Sequence, residues 1–275
     1  MKIIDLSLPI DDRNPEAHPV KIERLAHKKG IEYLNRLMMR KSLKGFILHL
    51  LGKRIIKPST LPDEEFLSLE MVYCSVHTGT HVDAPFHFGT RCEGKESKKI
   101  DDLPLDWFYG DGVVLDLTHK KPAEAITRKD LETSLDRMGY KLKPKDIVLL
   151  RTGADKYFGS RDYMTKFCGV SAEAIEWFLD QGIKAMGIDA LGFDRPYPAM
   201  LKDFLAKRDR TVLWPAHFYG RKREYAHIER LANLDKLPKP FGFKVACFPI
   251  RIKNAGASFA RCVAIIEDAK TPKIR

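Results

Sequence analysis

The apolar and polar positions begin with a partial alternation, Lys2-Ile3-Ile4-Asp5-Leu6-Ser7-Leu8-Pro9, which stops at a proline and suits a short strand. Tyr33, Leu34, Leu37 and Met38, then Phe46, Ile47, Leu50 and Leu51, recur at helical spacing and predict two amphipathic helices broken near Gly45. Pro58 and Pro62 return the chain to an extended path. Apolar runs at 112–117, 146–151 and 185–189 read as strands. Between the first two lies a helix that starts near Thr127, with Asp130 as a capping-box partner, and ends near Gly139. A further helix covers 171–182. Two β-rich runs, 242–252 and 259–266, are joined by Lys253-Asn254-Ala255-Gly256-Ala257 as a hairpin. Alternating strand and helix in mid-chain predicts the α/β class, as one domain over 1–275 with a mixed sheet, helices packed on it and a basic helical insertion at about 28–57.

Composition narrows the class. With 44% of 275 residues hydrophobic, the chain can bury a large core, and 31% charged residues exclude neither solubility nor order. No apolar stretch approaches membrane-spanning length, and Asp5 interrupts any signal-peptide core, so the expectation is a cytoplasmic protein with no membrane partner. Cys74, Cys92, Cys168, Cys247 and Cys262 stand singly, which suggests neither a disulfide framework nor a cysteine zinc site. Cys74, Cys247 and Cys262 lie in strand-like apolar runs and read as small buried hydrophobes. The formal charge of +11 raises the question of nucleic acid or anionic lipid. Residues 21–57, however, carry eleven Lys or Arg against Glu23 and Glu32, so most of the excess sits in one segment.

The candidate chemistry lies in His77-Thr78-Gly79-Thr80-His81-Val82-Asp83-Ala84-Pro85-Phe86-His87-Phe88. In an extended chain His77, His81, Asp83 and His87 share one face, while Val76, Thr78, Thr80, Val82, Ala84, Phe86 and Phe88 form the packing face. A helix would instead turn Asp83 about 200° from His81, and Pro85 would obstruct it. Imidazole and carboxylate on one face suit zinc, manganese or iron. Gly79, on the ligand face, is expected to leave room for the ion or a water. Thr78 and Thr80 are expected to support the loop through hydrogen bonds.

This run resembles the H-x-G-T-H-x-D-x-P-x-H-F motif of the cyclase-like metal-dependent hydrolases, which include bacterial kynurenine formamidase. Asp5-Leu6-Ser7 resembles the family's opening segment. Gly187-Ile188-Asp189-Ala190-Leu191-Gly192-Phe193-Asp194 resembles its G-I-D-x-x-S-x-D segment, with Gly192 in place of the small hydroxyl residue. His217, Ile228-Glu229-Arg230-Leu231-Ala232-Asn233-Leu234 with Pro238, and the hairpin with Pro249 and Arg261 resemble later parts of the family. The resemblance implies a swivelling β/β/α type of fold and a site for two ions, zinc or manganese. It assigns His77, His81 and Asp83 to one ion, has Asp83 and Glu229 bridge to a second held by His217, and makes His87 the acid–base residue. The implied activity is hydrolysis of an amide or formamide, with formylkynurenine as the substrate by resemblance alone, in a homo-oligomer.

Bound metal would lower the pKa of water and polarise a carbonyl, so no serine or cysteine nucleophile is required. A cyclase, or an enzyme opening cyclic amides or lactones with the same ions, is the alternative. A non-enzymatic module using the basic helices on anionic lipid or nucleic acid is disfavoured by the intact ligand set. Phe86, Phe88 or Phe218 near the ions would favour an aromatic or ring-containing small molecule. His227 shares parity with Glu229 and reads as a polar wall or structural histidine. Asp189 and Asp194 are open between orienting the ligands and holding turns. His18, His27, His49 and His119 are expected on the surface. The basic insertion is open between a lid, an oligomer interface, an attractor of anionic substrates and a solvated face.

Overall fold

The computed structural model describes residues 1–41, 43–53 and 55–267, with the side chains of Arg40 and His49 outside that set. The chain divides into two compact units, Met1–Glu16 with Ser75–Arg275, and Ala17–Cys74. In the larger unit nine strands form one mixed sheet in the order Lys2–Asp5, Val263–Ile266, Phe241–Ala246, Tyr109–Asp116, Ile147–Arg151, Ala185–Ile188, Ala226–Glu229, His81–Asp83 and Ala257–Phe259. The four strands from Tyr109–Asp116 to Ala226–Glu229 in this order are parallel to their neighbours, and the pairings outside them are antiparallel. Parallel strands are covered on both faces, which explains their nearly unbroken apolar sequences. Val113, Leu115, Val148, Leu150, Met186 and Ile188 point into one core cluster, while Val114, Ile147, Leu149 and Ala185 point into the other.

The helices expected from the middle of the chain are present as Arg128–Met138 and Ala172–Asp180. Thr127 accepts from Asp130 N while the Asp130 carboxylate accepts from Thr127 N, and Gly139 ends the helix in the left-handed region at φ 65°. Such a reciprocal cap satisfies amides that the first turn leaves without partners. Leu131, Leu135, Ile175 and Phe178 supply the faces buried against the sheet.

The C-terminal hairpin also forms: Lys244↔Ile265 through Ala246↔Val263 and the Pro249↔Ala260 bridge keep one register around its tip. Ala257–Phe259, although close in sequence to Val263–Ile266, pairs with His81–Asp83 at the other end of the strand order. The sheet therefore curls until one hairpin serves both ends. Asp5-Leu6-Ser7 runs alongside the same strand: Asp5 pairs with Arg261 at 2.6 Å, and Ser7 Oγ both accepts from Cys262 N and donates to Cys262 O. Cys247 and Cys262 are buried, and Cys74 is half-buried.

The smaller unit joins antiparallel strands Lys21–Leu25 and Leu69–Tyr73 with helices His27–Lys41 and Leu43–Leu50. The break expected near Gly45 falls earlier, and Gly45 lies inside the second helix. Asn35 organises the return chain, donating to Ile31 O and Ile56 O and accepting from Ile55 N and Ile56 N. Leu43, Phe46, Ile47, Leu50 and Leu51 are exposed. His18, His27 and His119 are exposed as expected, whereas the side chain of His49 lies outside the described residues. Among the described residues no helix is long and apolar enough to cross a membrane.

Asp189 resolves one open alternative in favour of structure. It ends the Ala185–Ile188 strand fully buried and accepts from Thr152 N, Thr152 Oγ1 and Gly153 N at 2.5–3.0 Å, fixing the loop after Ile147–Arg151. Burial nevertheless raises its pKa from 3.8 to about 7, against those donors. A carboxyl raised in this way binds more protons folded than unfolded between these values, so its contribution to stability is present at acid pH and lost as pH rises to about 7. Asp189→Asn is therefore expected to gain stability relative to the parent as pH rises through that window, on top of a constant penalty of about 1–3 kcal/mol for lost acceptors. Denaturant midpoints of both proteins at pH 5 and pH 8 check this; a difference independent of pH would contradict it.

Candidate metal centre

The site is built where the three-residue strand His81–Asp83 is clasped between two others. Antiparallel pairing sets His227 opposite Asp83 and Glu229 opposite His81 on one side, and Ala257 opposite Asp83 on the other. Paired residues share a face of the sheet. Val82, Ala84 and Ile228 enter one core cluster, so His81, Asp83, His227 and Glu229 all project from the opposite face. All four are buried.

The expected extended path for 75–88 holds only over His81–Asp83. Residues 76–80 form turns, closed by Thr78 N donating to Ser75 O, and Pro85–Phe88 is a short helical turn. Pro85 occupies the first helical position, where no amide is needed. His77 and His87 still reach the same centre, from a turn and a helix instead of a strand. Gly79 does not make room for an ion: its φ is +64°, and an added Cβ would meet Ile10 and the carbonyls of Leu8 and Pro9. Its requirement is backbone conformation. Thr80 fulfils its expected role, accepting from Leu8 N at 2.7 Å and donating to Arg230 O at 2.5 Å.

Asp83 occupies the middle of the cluster. His77 Nδ1 and His81 Nε2 approach its Oδ1 to 2.9 and 3.4 Å, while His217 Nε2 and His87 Nε2 lie 3.8 and 3.9 Å from its Oδ2. Glu229 Oε2 is 3.5 Å from His81 Nε2, and its Oε1 is 3.6 Å from His217 Nε2. The five ligand residues expected from the resemblance, and His87, thus converge on one centre. Glu229 Oε1 also accepts from Phe193 N at 3.0 Å, and Gly192, where the related motif has a hydroxyl residue, faces both Glu229 oxygens.

Two imidazoles have their tautomers set by partners outside the cluster. His81 Nδ1 donates to Gly79 O at 2.9 Å, leaving the Nε2 lone pair facing the carboxylates. His217, carried by the Pro215–Tyr219 helix, donates from Nδ1 to Asp194 Oδ2 at 2.5 Å and likewise presents Nε2. Asp194 also accepts from Ala216 N and His217 N. This is the orienting role left open for it, with Asp189 on the structural side of the same question.

The electrostatics follow from burying two carboxylates together. Burial opposes the ionisation of Asp83, but His81, His87, His217 and His77 overcome it and hold its pKa well below the ordinary carboxylate range. Burial and Asp83 oppose the ionisation of Glu229, and His227, His81 and His217 again bring its pKa below the ordinary value. Burial disfavours the cationic form of His217, yet Asp194 and Asp83 raise its pKa. His87 differs. Although 34% of its side chain is exposed, burial of the remainder pushes its pKa down to about 4, with Asp83 pulling upward and His217 and His77 downward.

The donor set fits a divalent cation. His81 Nε2, both Asp83 oxygens and His227 Nδ1 are buried without a hydrogen-bond partner. The 2.9 Å His77 contact lacks hydrogen-bond alignment. Buried polar atoms are seldom left so. Donor atoms of Asp83, His217, His227 and Glu229 lie within 4.8 Å of one another, as do those of His77, Asp83 and His87.

The aromatic expectations divide. Phe88 is a core residue, stacked on Tyr225 and tilted against His227. Phe218 is 40% exposed and, with Leu213, Trp214, Arg210 and Arg221, lines a cavity of about 530 Å³. Tyr225, which supports His227, was not singled out from the sequence; its signal is the i, i+2 spacing Tyr225, His227, Glu229, which runs into the Ala226–Glu229 strand.

Fold and donor set together define an α/β protein with a candidate metal centre. The model of the family described as "Putative cyclase" matches residues 4–195, and the chain belongs to that family. The chain is 29% identical over 120 residues to a kynurenine formamidase of Bacillus cereus, covering 44% of this chain and 50% of that protein. It is 27% identical over 210 residues to a kynurenine formamidase of Salinibacter ruber, covering 76% and 84%. The match thus spans about half the length of the first of these relatives. Among solved structures, an isatin hydrolase bound to the product analogue thioisatinate shares the fold, with a TM-score of 0.71 at 18% identity over 97% of this chain and 93% of that one.

Asp194→Ala is expected to weaken metal binding by about 10–100-fold, the usual cost of losing an outer hydrogen bond to a ligating histidine. Competition with a chromophoric chelator measures this. Unchanged affinity would show that Asp194 does not orient His217 for binding.

Proposed function

We propose that this protein is a metal-dependent hydrolase that cleaves a carbon–nitrogen bond in a formamide or amide of an aromatic or ring-containing small molecule. The observation that carries this reading is the group of buried donor atoms without partners, aimed at one another around Asp83. The kynurenine formamidase relatives support a formamide substrate. In this reading His77, His81 and Asp83 would hold one ion and Asp83, Glu229 and His217 a second, zinc or manganese being suited to mixed nitrogen and oxygen donors. When bound, such ions supply Lewis acidity that activates water and polarises the scissile carbonyl.

The chain's own part is to place donors and move one proton. His87 is neutral near pH 7, because its pKa lies at about 4, and its edge is partly open to solvent. It accepts the proton of the attacking water as the new carbon–oxygen bond forms. It then returns that proton to the departing nitrogen as the carbon–nitrogen bond breaks. Asp194, Gly79 O and Thr80 keep the donors in place during this exchange.

His81→Ala and Glu229→Ala are expected to lose bound metal by elemental analysis; full occupancy in both would overturn the ligand assignment. His87→Ala is expected to keep its metal while turnover falls by roughly 10² to 10⁴. Metal loss equal to that of His81→Ala would make His87 a ligand instead. For the substrate, the metal-loaded protein is expected to hydrolyse N-formyl aryl amines in a panel that includes cyclic aryl amides and aryl lactones. Turnover of the cyclic compounds alone would replace the formamidase reading with a ring-opening one.

A further inference from the structure

His227 is the one member of the donor cluster that the motif does not require. It is fully buried on the Ala226–Glu229 strand, directly opposite Asp83. Its ring lies flat on Phe193, with centroids 4.0 Å apart and planes 9° from parallel, and packs against Phe88 and His217. Packing on three sides leaves the ring a single orientation.

The hydrogen bonds then define its lone pair. Tyr225 Oη donates its only hydrogen to Ala216 O at 2.6 Å, so its oxygen accepts from His227 Nε2, 2.8 Å away. With the proton on Nε2, a neutral imidazole presents a bare lone pair at Nδ1. That atom has no hydrogen-bond partner and lies 3.5 Å from Glu229 Oε1, so a lone pair faces a carboxylate in a buried site. A cation shared by the two atoms relieves that repulsion.

The spacing agrees. Metal–ligand bonds of about 2.0–2.1 Å in a tetrahedral site place neighbouring donors about 3.3–3.4 Å apart. Here His227 Nδ1 to Glu229 Oε1 is 3.5 Å, His217 Nε2 to Glu229 Oε1 is 3.6 Å and His217 Nε2 to Asp83 Oδ2 is 3.8 Å.

We infer that His227 is a metal ligand through Nδ1, completing with Asp83, His217 and Glu229 a site of four protein donors. The inference rests on the metallohydrolase reading and deepens it, by making the two ions unlike. The four-donor site has its protein ligands complete and is closed in the manner of a structural ion. The side of Asp83 facing His77, His81 and the partly exposed His87 keeps the open positions that water and substrate require. The expected behaviour is one tight, slowly exchanging ion and one weaker, exchangeable ion.

The experiment loads the full-length apoprotein with ¹¹³Cd²⁺ and records proton–cadmium correlations, with stoichiometry and affinities from chelator competition. Correlation of His227 ring protons with a cadmium signal is the expected result. A cadmium signal that correlates with His217 but not His227 would overturn the inference while leaving the hydrolase reading intact. Failure of the wild-type protein to bind any stoichiometric metal would overturn both. In parallel, His227→Leu is expected to weaken the tighter site by at least about 10²-fold, beyond the 10–100-fold typical of an outer hydrogen bond, and to leave the weaker site in place. Equal affinities in parent and variant would overturn the assignment. If the variant does not fold, the cadmium spectrum of the unaltered protein still decides the matter.

Discussion

The pairing of two short antiparallel strands, His81–Asp83 and Ala226–Glu229, is the constraint on which the rest of the structure depends. It sets two carboxylates and two imidazoles side by side on one buried face, where like charges repel strongly and water cannot screen them. Such an arrangement persists only with positive charge in its midst. Imidazoles surround Asp83, and their partners outside the cluster turn lone pairs towards it. The chemistry of the site is thus a consequence of strand register before it is one of any individual residue.

The surroundings serve that register. Four parallel strands in the middle of the sheet, covered on both faces, provide a stiff platform, and the candidate ligands on the last of them and on the adjoining His81–Asp83 inherit its precision. The C-terminal hairpin reaches around to the far side of His81–Asp83, so this three-residue strand is never an edge. Thr80 links the turn before it to Leu8 and Arg230, joining the N-terminal segment to the end of Ala226–Glu229. The site also grades from closed to open. His81, His227 and Glu229 are sealed in the interior, whereas His77 and His87, carried on turns, stay partly exposed.

The positive charge of the chain is unevenly distributed along the sequence. The basic residues gather in the segment that forms the smaller unit, with its two helices and exposed apolar side chains. The order of that unit rests on local devices such as the fully satisfied Asn35 amide.

What the sequence determined by itself is what short stretches of chain decide. Thr127 with Asp130 and Gly139 bound a helix, apolar runs mark strands buried on both faces, and the spacing around Gly256 closes a hairpin, because caps, periodicity and turns are local properties. The ligand candidates were legible for the same reason, through the crowding of histidines and Asp83 into one short run. Tertiary structure alone decided the rest. The odd-numbered parity of His77 to His87 suggested one long strand, yet only three residues are extended, and the outer histidines converge through turns. Asp189 and Asp194 are indistinguishable in sequence, but only Asp194 lies within reach of His217. His227 joins the cluster because the register of a distant strand sets it opposite Asp83, and Tyr225 holds its far nitrogen. Which residues of separate strands face one another depends on contacts between segments more than a hundred residues apart, and no local pattern encodes that distance.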